Sequence, residues 1–333
     1  MKNWILYLLL FATSYLTTKL YRQYALKRGI IDIPNQRSSH QHPTARGGGL
    51  VFVIFLGIFI MGAYLTRWIA LSPFMALLPA LFIGALGFWD DVASLSAKRR
   101  LQGQFLAASI TVAALCTTTP FSLWGLPSIL SIPLTIVAIV WSTNLFNFMD
   151  GTDGITATEG IFVLGVGGWL LHTQGALFLS PLCFALCAVL LGFLCLNWPK
   201  ASLFMGDVGS GFLGFLIAVI ALMSYITYNI SLFYWLILYS VFVFDATLTL
   251  LRRIHAKHPI TLAHKLHAYQ RLHQLTRSHK SVLWILIAYN TLLSVGVLAS
   301  FYGYLSLLWM GIAACLSLIG GYIALERKQP FVR

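Results

Sequence analysis

Eleven long apolar runs dominate this chain of 333 residues and leave only short polar segments between them. Most of them approach the roughly 20 residues that a helix needs to cross a hydrocarbon core of about 30 Å. They lie near 4–20, 48–66, 68–88, 103–119, 129–144, 159–172, 178–197, 210–226, 230–251, 282–301 and 303–325. Because only 9% of the residues are charged, against about 25% in a soluble domain, a soluble enzyme, a disordered protein and a coiled coil are excluded. We predict an all-α integral membrane protein with about 11 (10–11) transmembrane helices, the runs at 129–144 and 159–172 being the shortest.

Basic residues predict the orientation of these helices. Every Lys and Arg except Lys2 and Arg67 falls in loops on one side of the predicted membrane. Loops rich in Lys and Arg stay in the cytoplasm, so the N-terminus is expected outside and the C-terminus in the cytoplasm. Residues 1–333 then form a single polytopic membrane domain. Its cytoplasmic loops are predicted at about 21–47, 89–103, 145–158, 198–209 and 252–281.

The nine Asp and Glu residues all fall on or near the same predicted cytoplasmic side. A proton-coupled transporter usually places ionisable groups near the membrane midplane, often in broken helices. Single Asp residues can simply cap helix ends, but four separate acidic loops on one side favour a catalytic or binding surface. Asp245 lies deepest in its run, and we expect it to pair with a basic group in a structural role.

The first two loops combine groups suited to phosphates and cations. Gly47-Gly48-Gly49 leads into a span, where backbone N–H groups can approach an anion closely. Arg37 and Arg46 can add charge-assisted hydrogen bonds to phosphate, although a basic loop beside the membrane explains the same residues. In the second loop, the adjacent carboxylates of Asp90 and Asp91 suit a divalent cation or a base beside one. The basic segment 98–100 that follows is suited to phosphate.

The next two loops carry Asp-Gly steps. Asn147, Asp150 and Asp153 lie around two such steps, whose tight turns can aim carboxylates and an amide into one pocket. The segment lacks the glutamate and ligand spacing of an EF-hand. In the fourth loop, Gly206-Asp207 opens a span, so its backbone N–H groups suit phosphate and its carboxylate suits Mg²⁺. An Asp helix cap is the alternative, and no P-loop motif occurs.

The fifth loop is rich in histidine and basic residues but has no Cys or carboxylate, so a zinc site is not expected. Its histidines are His255, His258, His264, His267, His273 and His279. Leu262, Leu266, Tyr269 and Leu272 follow near-helical spacing, which predicts an amphipathic helix at the membrane interface. Its basic and imidazole face suits a diphosphate or anionic lipid.

Taken in order, the five loops resemble those of the polyprenyl-phosphate N-acetylhexosamine-1-phosphate transferases, the glycosyltransferase family 4 superfamily that also includes the phospho-MurNAc-pentapeptide translocase. The resemblance runs from Asp32 to about Leu272 and rests on several motifs together. The opening segment 34–49, PNQRSSHQHPTARGGG, is similar to the branch that primes O-antigen units.

The resemblance implies site residues. Asp90 and Asp91 match a pair that handles the lipid phosphate, with Asp90 as the base, and Asp207 matches a catalytic ligand of Mg²⁺ (or Mn²⁺). The substrate-binding residues implied are Arg46, Lys98, Asn147, Asp150, Asp153, Asn197, Phe204, His264 and His267. Asp153 is also an expected metal ligand, Phe204 would stack on uracil, and Asn197 would line the uridine pocket. Because Lys265 and Leu266 separate the two histidines, which are nearly contiguous in some branches, their individual roles stay open.

The reaction implied transfers an N-acetylhexosamine-1-phosphate from a UDP-sugar to undecaprenyl phosphate. It would give undecaprenyl-diphosphate-sugar and UMP at the cytoplasmic face of a bacterial inner membrane, and so initiate O-antigen or a similar envelope glycan. The expected partners are both substrates, the lipid bilayer and, from the family, a second copy of the chain; no nucleic acid is expected. A secondary transporter of an anionic solute and another lipid phosphotransferase remain as alternatives, although a DGxxAR motif of the CDP-alcohol type is not matched at 150–155.

Overall fold

A computed structural model describes residues 4–34, 42–117, 122–259 and 264–331, and most of them are helical. The thirteen helices of this part are α1 (Trp4–Arg28), α2 (Leu50–Leu65), α3 (Leu71–Ala93), α4 (Ala97–Cys116), α5 (Ser128–Met149), α6 (Ile155–Thr173), α7 (Leu179–Asn197), α8 (Asp207–Tyr228), α9 (Leu232–Leu238), α10 (Ser240–His255), α11 (Ala268–Thr276), α12 (His279–Phe301) and α13 (Leu307–Lys328). The predicted all-helical class is therefore confirmed.

Each of the eleven apolar runs coincides with a helix, and the run at 230–251 with the pair α9 and α10. Within the described ranges, seven helices have the length and hydropathy to cross a membrane, namely α3, α5, α6, α7, α8, α12 and α13. The pair α9 and α10, bent by 75°, makes an eighth if it is one span. The protein is thus a multi-span membrane protein, while the count of eleven and the orientation remain predictions. The two shortest runs became full helices of 22 and 19 residues, α5 and α6.

Two short strands pair within the loop between α1 and α2, and a single bridge connects this loop to one that is far away in sequence. β1 (Ile31–Asp32) pairs antiparallel with β2 (Thr44–Ala45). Ala45 also forms a parallel bridge to Leu203, just before α8. The chain entering α2 is thereby held against the chain entering α8. Arg37, predicted to bind phosphate, lies outside the described residues.

Helix α8 lies at the centre of the bundle, where most of its residues are buried, and it packs against α2, α3, α5 and α6. Glycines allow three of these contacts to be unusually close. A Cβ at Gly49 would lie 2.1 Å from the Gly209 Cα, one at Gly87 would lie 2.4 Å from the Asp207 carbonyl oxygen, and one at Gly214 would lie 2.3 Å from the Ser142 oxygen. Between membrane helices, such close van der Waals packing replaces the hydrophobic effect. The contacts at Gly49 and Gly87 bring the beginning of α2 and the C-terminal part of α3 against the start of α8.

We expect Gly87→Ala to destabilise the bundle, because the new methyl group would meet the backbone of Asp207 rather than a movable side chain. Overpacking of this kind costs about 1–3 kcal/mol. The thermal midpoint of the detergent-solubilised protein, followed by size-exclusion chromatography, should fall. Gly62→Ala in α2 is the matched control, because a Cβ there meets nothing within 4 Å. Equal midpoints for the two variants would contradict the packing argument.

The helix predicted in the fifth loop is shorter than its apolar spacing indicated. α11 begins at Ala268 because the His267 side chain and Gln270 form a capping box at its N-terminus. Leu266 therefore precedes the helix, which corrects the prediction, and Leu262 lies outside the described residues. Tyr269 is buried, and α11 packs against α10, α12 and α13, so this face of the helix contacts protein.

Candidate active site

Asp91 connects the end of α3 to the beginning of α8. Its side chain has no exposed surface, and it accepts hydrogen bonds from the backbone N–H groups of Asp207 at 3.0 Å and Val208 at 3.1 Å. A carboxylate at a helix N-terminus satisfies N–H groups that have no partner within the helix, and it opposes the helix dipole. Asp91 thus fixes where Asp207 lies. Gly206 precedes it with a φ of +77°, and a Cβ there would come within 2.4 Å of the Asp91 carboxylate.

Arg46, between β2 and α2, neutralises this carboxylate. Its Nη2 bonds to the Asp91 Oδ1 and lies 3.7 Å from the Asp207 Oδ1. Burial lowers the pKa of the Arg46 guanidinium, but the charges of Asp91 and Asp207 outweigh this effect and raise it. The Tyr21 hydroxyl donates to the Arg46 carbonyl at 3.1 Å, which holds the backbone at this point. The predicted substrate-binding residue Arg46 is therefore part of the carboxylate cluster.

A second arginine, Arg100, bridges the other two carboxylates. Its Nη1 lies 2.7 Å from the Asp90 Oδ2 and 2.9 Å from the Asp207 Oδ2. We call Asp90, Asp91, Asp207, Arg46 and Arg100 the carboxylate–arginine cluster. The sequence indicates that the basic segment 98–100 is suited to phosphate, and the family resemblance places Lys98 in the site, but neither singles out Arg100. Lys98 is exposed, and the available signal was that Arg100 lies in the first turn of a helix starting beside the Asp pair.

A small polar cavity of about 30 Å³ adjoins Asp207. Its polar side chains come from Arg100, Gln104, Thr143, Asn144, Asn147 and Asp207. Asn147, a predicted site residue, donates to the Ser210 hydroxyl at 3.1 Å. Asn147, in the last turn of α5, thus reaches the first turn of α8.

The two aspartates of the third loop have different surroundings. Burial raises the pKa of Asp150 well above its usual range, and the negative charges of Asp207 and Asp91 raise it further. Asp153 accepts a hydrogen bond from the Ala201 N–H at 3.0 Å, and its Oδ1 lies 3.3 Å from the His279 Nδ1. None of the described hydrogen bonds or ion pairs joins Asp153 to Asp207, so their shared role as metal ligands stays a prediction. His279 is a neighbour of the site that the sequence did not single out.

Asn197 and Phe204 organise the fourth loop. The Asn197 side-chain oxygen accepts from the Gly154 N–H at 3.0 Å, and its amide donates to the Leu203 carbonyl at 2.9 Å. The side chain is therefore bonded at both ends, joining the third and fourth loops. Phe204 is half-buried, and its backbone pairs with Ala45 and Gly48. Their predicted contacts with uridine remain predictions.

The predicted histidines lie at the start of α11. The ring centroids of His264 and His267 are 4.9 Å apart. Burial lowers the pKa of His264 to about 4, and the neighbouring His267 contributes to the shift. His267 lies 3.3 Å from a carboxylate oxygen of Asp245 and stacks near Phe148. Asp245 thus has an ionisable basic partner, as expected, and the partner is His267.

The cluster supplies the oxygen donors that Mg²⁺ prefers. The described residues contain no group of three or more His, Cys, Asp and Glu arranged to hold a metal ion. Mg²⁺ in phosphate-transfer sites, however, often takes only one or two protein carboxylates and completes its shell with water and phosphate. Asp90 and Asp207 contact the same Arg100 nitrogen, so the two carboxylates face one point of the site. The donor set fits a hard divalent ion.

Comparison with known proteins identifies the family of this chain. The family model described as glycosyl transferase family 4 matches residues 73–225, which include most of the polar residues described above. The chain belongs to this family. It is 32% identical over 311 residues to the "Probable undecaprenyl-phosphate N-acetylglucosaminyl 1-phosphate transferase" of Bacillus subtilis (strain 168), covering 89% of this chain and 84% of that protein.

Two further relatives carry related names. The "Decaprenyl-phosphate N-acetylglucosaminephosphotransferase" of Mycolicibacterium smegmatis is 28% identical over 357 residues, covering 95% of this chain and 87% of that protein. The "Undecaprenyl-phosphate alpha-N-acetylglucosaminyl 1-phosphate transferase" of Yersinia pestis is 30% identical over 229 residues, covering 65% of this chain and 60% of that protein. The resemblance to polyprenyl-phosphate sugar-phosphate transferases is confirmed.

Proposed function

We propose that this protein transfers an N-acetylhexosamine-1-phosphate from a UDP-sugar to undecaprenyl phosphate, releasing UMP at the cytoplasmic face of a bacterial inner membrane. The observation that carries the proposal is the carboxylate–arginine cluster, which α3, α4 and α8 assemble with Arg46 at one end of a membrane bundle. The names of the relatives support a polyprenyl phosphate and an N-acetylhexosamine phosphate as the two substrate classes. A prenyl chain would lie in the bilayer while its phosphate reaches the ends of the helices.

The chemistry requires two anions to meet. An oxygen of the lipid phosphate would attack the β-phosphorus of the UDP-sugar in line, forming one P–O bond while the bond to UMP breaks. Such a reaction depends on positioning and on charge stabilisation more than on covalent catalysis. Arg46 and Arg100 are the cations best placed to take phosphate oxygens. Asp90 would orient the acceptor phosphate and take any remaining proton.

We assign Mg²⁺, or Mn²⁺ in its place, to Asp207, with Asp90 beside it and Asp153 as the further ligand predicted from sequence. A cation bound there would neutralise charge on the diphosphate and stabilise the leaving UMP. The assignment is supported by the carboxylate oxygens of Asp90 and Asp207, which both contact the same Arg100 nitrogen. We further propose that the product initiates O-antigen or a similar envelope glycan, as segment 34–49 suggested.

The test is a reaction with purified protein, undecaprenyl phosphate, Mg²⁺ and a panel of UDP-GlcNAc, UDP-GalNAc, UDP-FucNAc and UDP-QuiNAc. We expect UMP release with at least one sugar, dependent on the lipid phosphate and abolished by EDTA. Reactions without lipid measure background hydrolysis. No UMP with any sugar, together with uptake of an anionic solute by proteoliposomes, would favour the transporter alternative and overturn the proposal.

A further inference from the structure

Glu326, near the end of α13, is bonded to arginines of two other helices. Its carboxylate accepts two hydrogen bonds from Arg252 of α10, with Nη1 at 2.9 Å from Oε2 and Nη2 at 3.1 Å from Oε1. It also accepts a hydrogen bond of 2.7 Å from the Nη2 of Arg271 in α11. Paired bonds between a guanidinium and a carboxylate fix the orientation of both groups. Glu326 therefore holds α10 and α11 against the same turn of α13.

The residues that follow α13 pack over these ion pairs. The Arg271 Nε donates to the Gln329 carbonyl at 2.9 Å, and the Phe331 N–H donates to the Glu326 Oε1 at 3.0 Å. Phe331 is buried, and its ring centroid lies 4.2 Å from the Arg252 Cζ, which is the geometry of a cation–π contact. We call Arg252, Arg271, Glu326, Gln329 and Phe331 the α13 clamp.

The clamp stabilises α11 rather than the core of the bundle. Only Met310 and Ala314 are buried among the residues of α13, all of which the structure describes. The helix thus contributes few side chains to the core. Arg271, in contrast, is buried on α11 and depends on Glu326 for its opposite charge. Loss of the Glu326 charge should therefore loosen α11 locally and leave the bundle folded.

Helix α11 in turn contacts the turn between α5 and α6. The Tyr269 hydroxyl, two residues before Arg271, donates to the Phe148 carbonyl at 3.1 Å. A Cβ at Gly151 would lie 2.2 Å from the same hydroxyl oxygen, so only a glycine at 151 lets α11 pack here. Asn147, next to Phe148, bonds to the first turn of α8. A displaced α11 would therefore shift the α5–α6 turn relative to α8.

We propose that Glu326 is a positioning residue for the UDP-sugar site. Through Arg252 and Arg271 it holds α11, so that Tyr269 keeps the α5–α6 turn, with Asp150 and Asp153, in the form that binds the donor. This inference rests on the proposed function. A group that only tethered α13 would need a single arginine of α10, and the second arginine, buried on α11, is what points to the site.

Glu326→Gln tests the proposal, because it keeps the size of the side chain and removes the charge that both arginines share. We expect KM for the UDP-sugar that releases most UMP to rise on the order of 10–100-fold, since small displacements of a site by distant residues have effects of this size. The kcat, the KM for undecaprenyl phosphate and the thermal midpoint should match the wild type. Arg327→Gln is the matched control and should behave as the wild type, because Arg327 is exposed and forms none of the described ion pairs.

Two further measurements locate the effect. In hydrogen exchange without substrate, the amides of α11 should exchange faster in Glu326→Gln than in the wild type, while those of α8 should not change. Tyr269→Phe removes the hydroxyl that donates to Phe148, and it should raise the same KM. If Glu326 acts through Tyr269, the double variant should be no worse than the weaker of the two single variants, because the effects of coupled residues are not additive.

The outcomes separate this inference from the proposed function. If the wild type is active, an unchanged KM in Glu326→Gln, unchanged exchange of α11 or fully additive losses in the double variant would overturn only the role of Glu326. A lowered thermal midpoint together with a lowered kcat would indicate a general loss of structure and would also overturn it. A wild-type protein that releases no UMP would overturn the proposed function and this inference together.

Discussion

Asp207→Asn is expected to abolish UMP release while the protein still inserts and purifies normally. The change keeps the size of the side chain, so α8 can still begin at this residue under the Asp91 cap. It removes the charge that faces Arg100 at 2.9 Å and Arg46 at 3.7 Å, and with it the assigned metal ligand. Loss of a single group that stabilises transition-state charge lowers kcat about 10²–10³-fold, and we expect a loss at the upper end of this range. Steady-state UMP release and Mn²⁺ binding by calorimetry would measure the effect.

Asp207→Glu is the matched variant for this experiment. It restores the charge but moves the carboxylate by one methylene, so we expect partial activity at raised metal concentration. Normal turnover in Asp207→Asn membranes would overturn the metal assignment. If Asp207→Asn lost turnover but bound Mn²⁺ as tightly as the wild type, Asp207 would act in catalysis without being a metal ligand.

The two neighbouring aspartates of α3 should respond differently to substitution. Asp90, whose side chain is 10% exposed, pairs with Arg100, so Asp90→Asn should abolish UMP release without unfolding the protein. Asp91 has no exposed side-chain surface and bonds to Arg46 and two backbone N–H groups. Breaking one partner of a buried pair costs about 3–5 kcal/mol, so Asp91→Ala should also lower the thermal midpoint strongly.

Parallel measurements of UMP release and thermal midpoint on both variants separate the two roles. Asp90→Asn with a wild-type midpoint and no turnover would agree with a role in the reaction. An Asp91→Ala protein as stable as the wild type would show that α8 does not depend on the Asp91 cap. Substantial turnover by Asp90→Asn would remove this residue from the proposed chemistry.

Much of the helical framework could be predicted because a bilayer requires long apolar helices, and hydropathy detects them directly. The 75° bend between α9 and α10 was not predicted. No Pro or Gly marks it, since the chain there reads Leu238-Tyr239-Ser240. The predicted helix in the fifth loop included Leu266 because apolar spacing does not reveal that His267 and Gln270 cap α11.

The sequence predicts those parts of the site whose functional residues are neighbours along the chain. The Asp90-Asp91 pair and Gly206-Asp207 stand out as motifs, and the structure brings them together. The contact of His279 with Asp153 spans 126 residues, and that of Asp245 with His267 spans 22. Such pairs depend on which helices pack together, and a single sequence contains no direct signal for that packing.

The shared guanidinium of Arg100 has a consequence for the order of events at the site. It pairs with Asp90 and Asp207 at the same time. A phosphate that binds this arginine therefore leaves both carboxylates without their positive partner. When a phosphate takes Arg100 from the two carboxylates, a divalent cation can take its place beside Asp90 and Asp207. Because linked equilibria are reciprocal, nucleotide and divalent ion should each tighten the binding of the other.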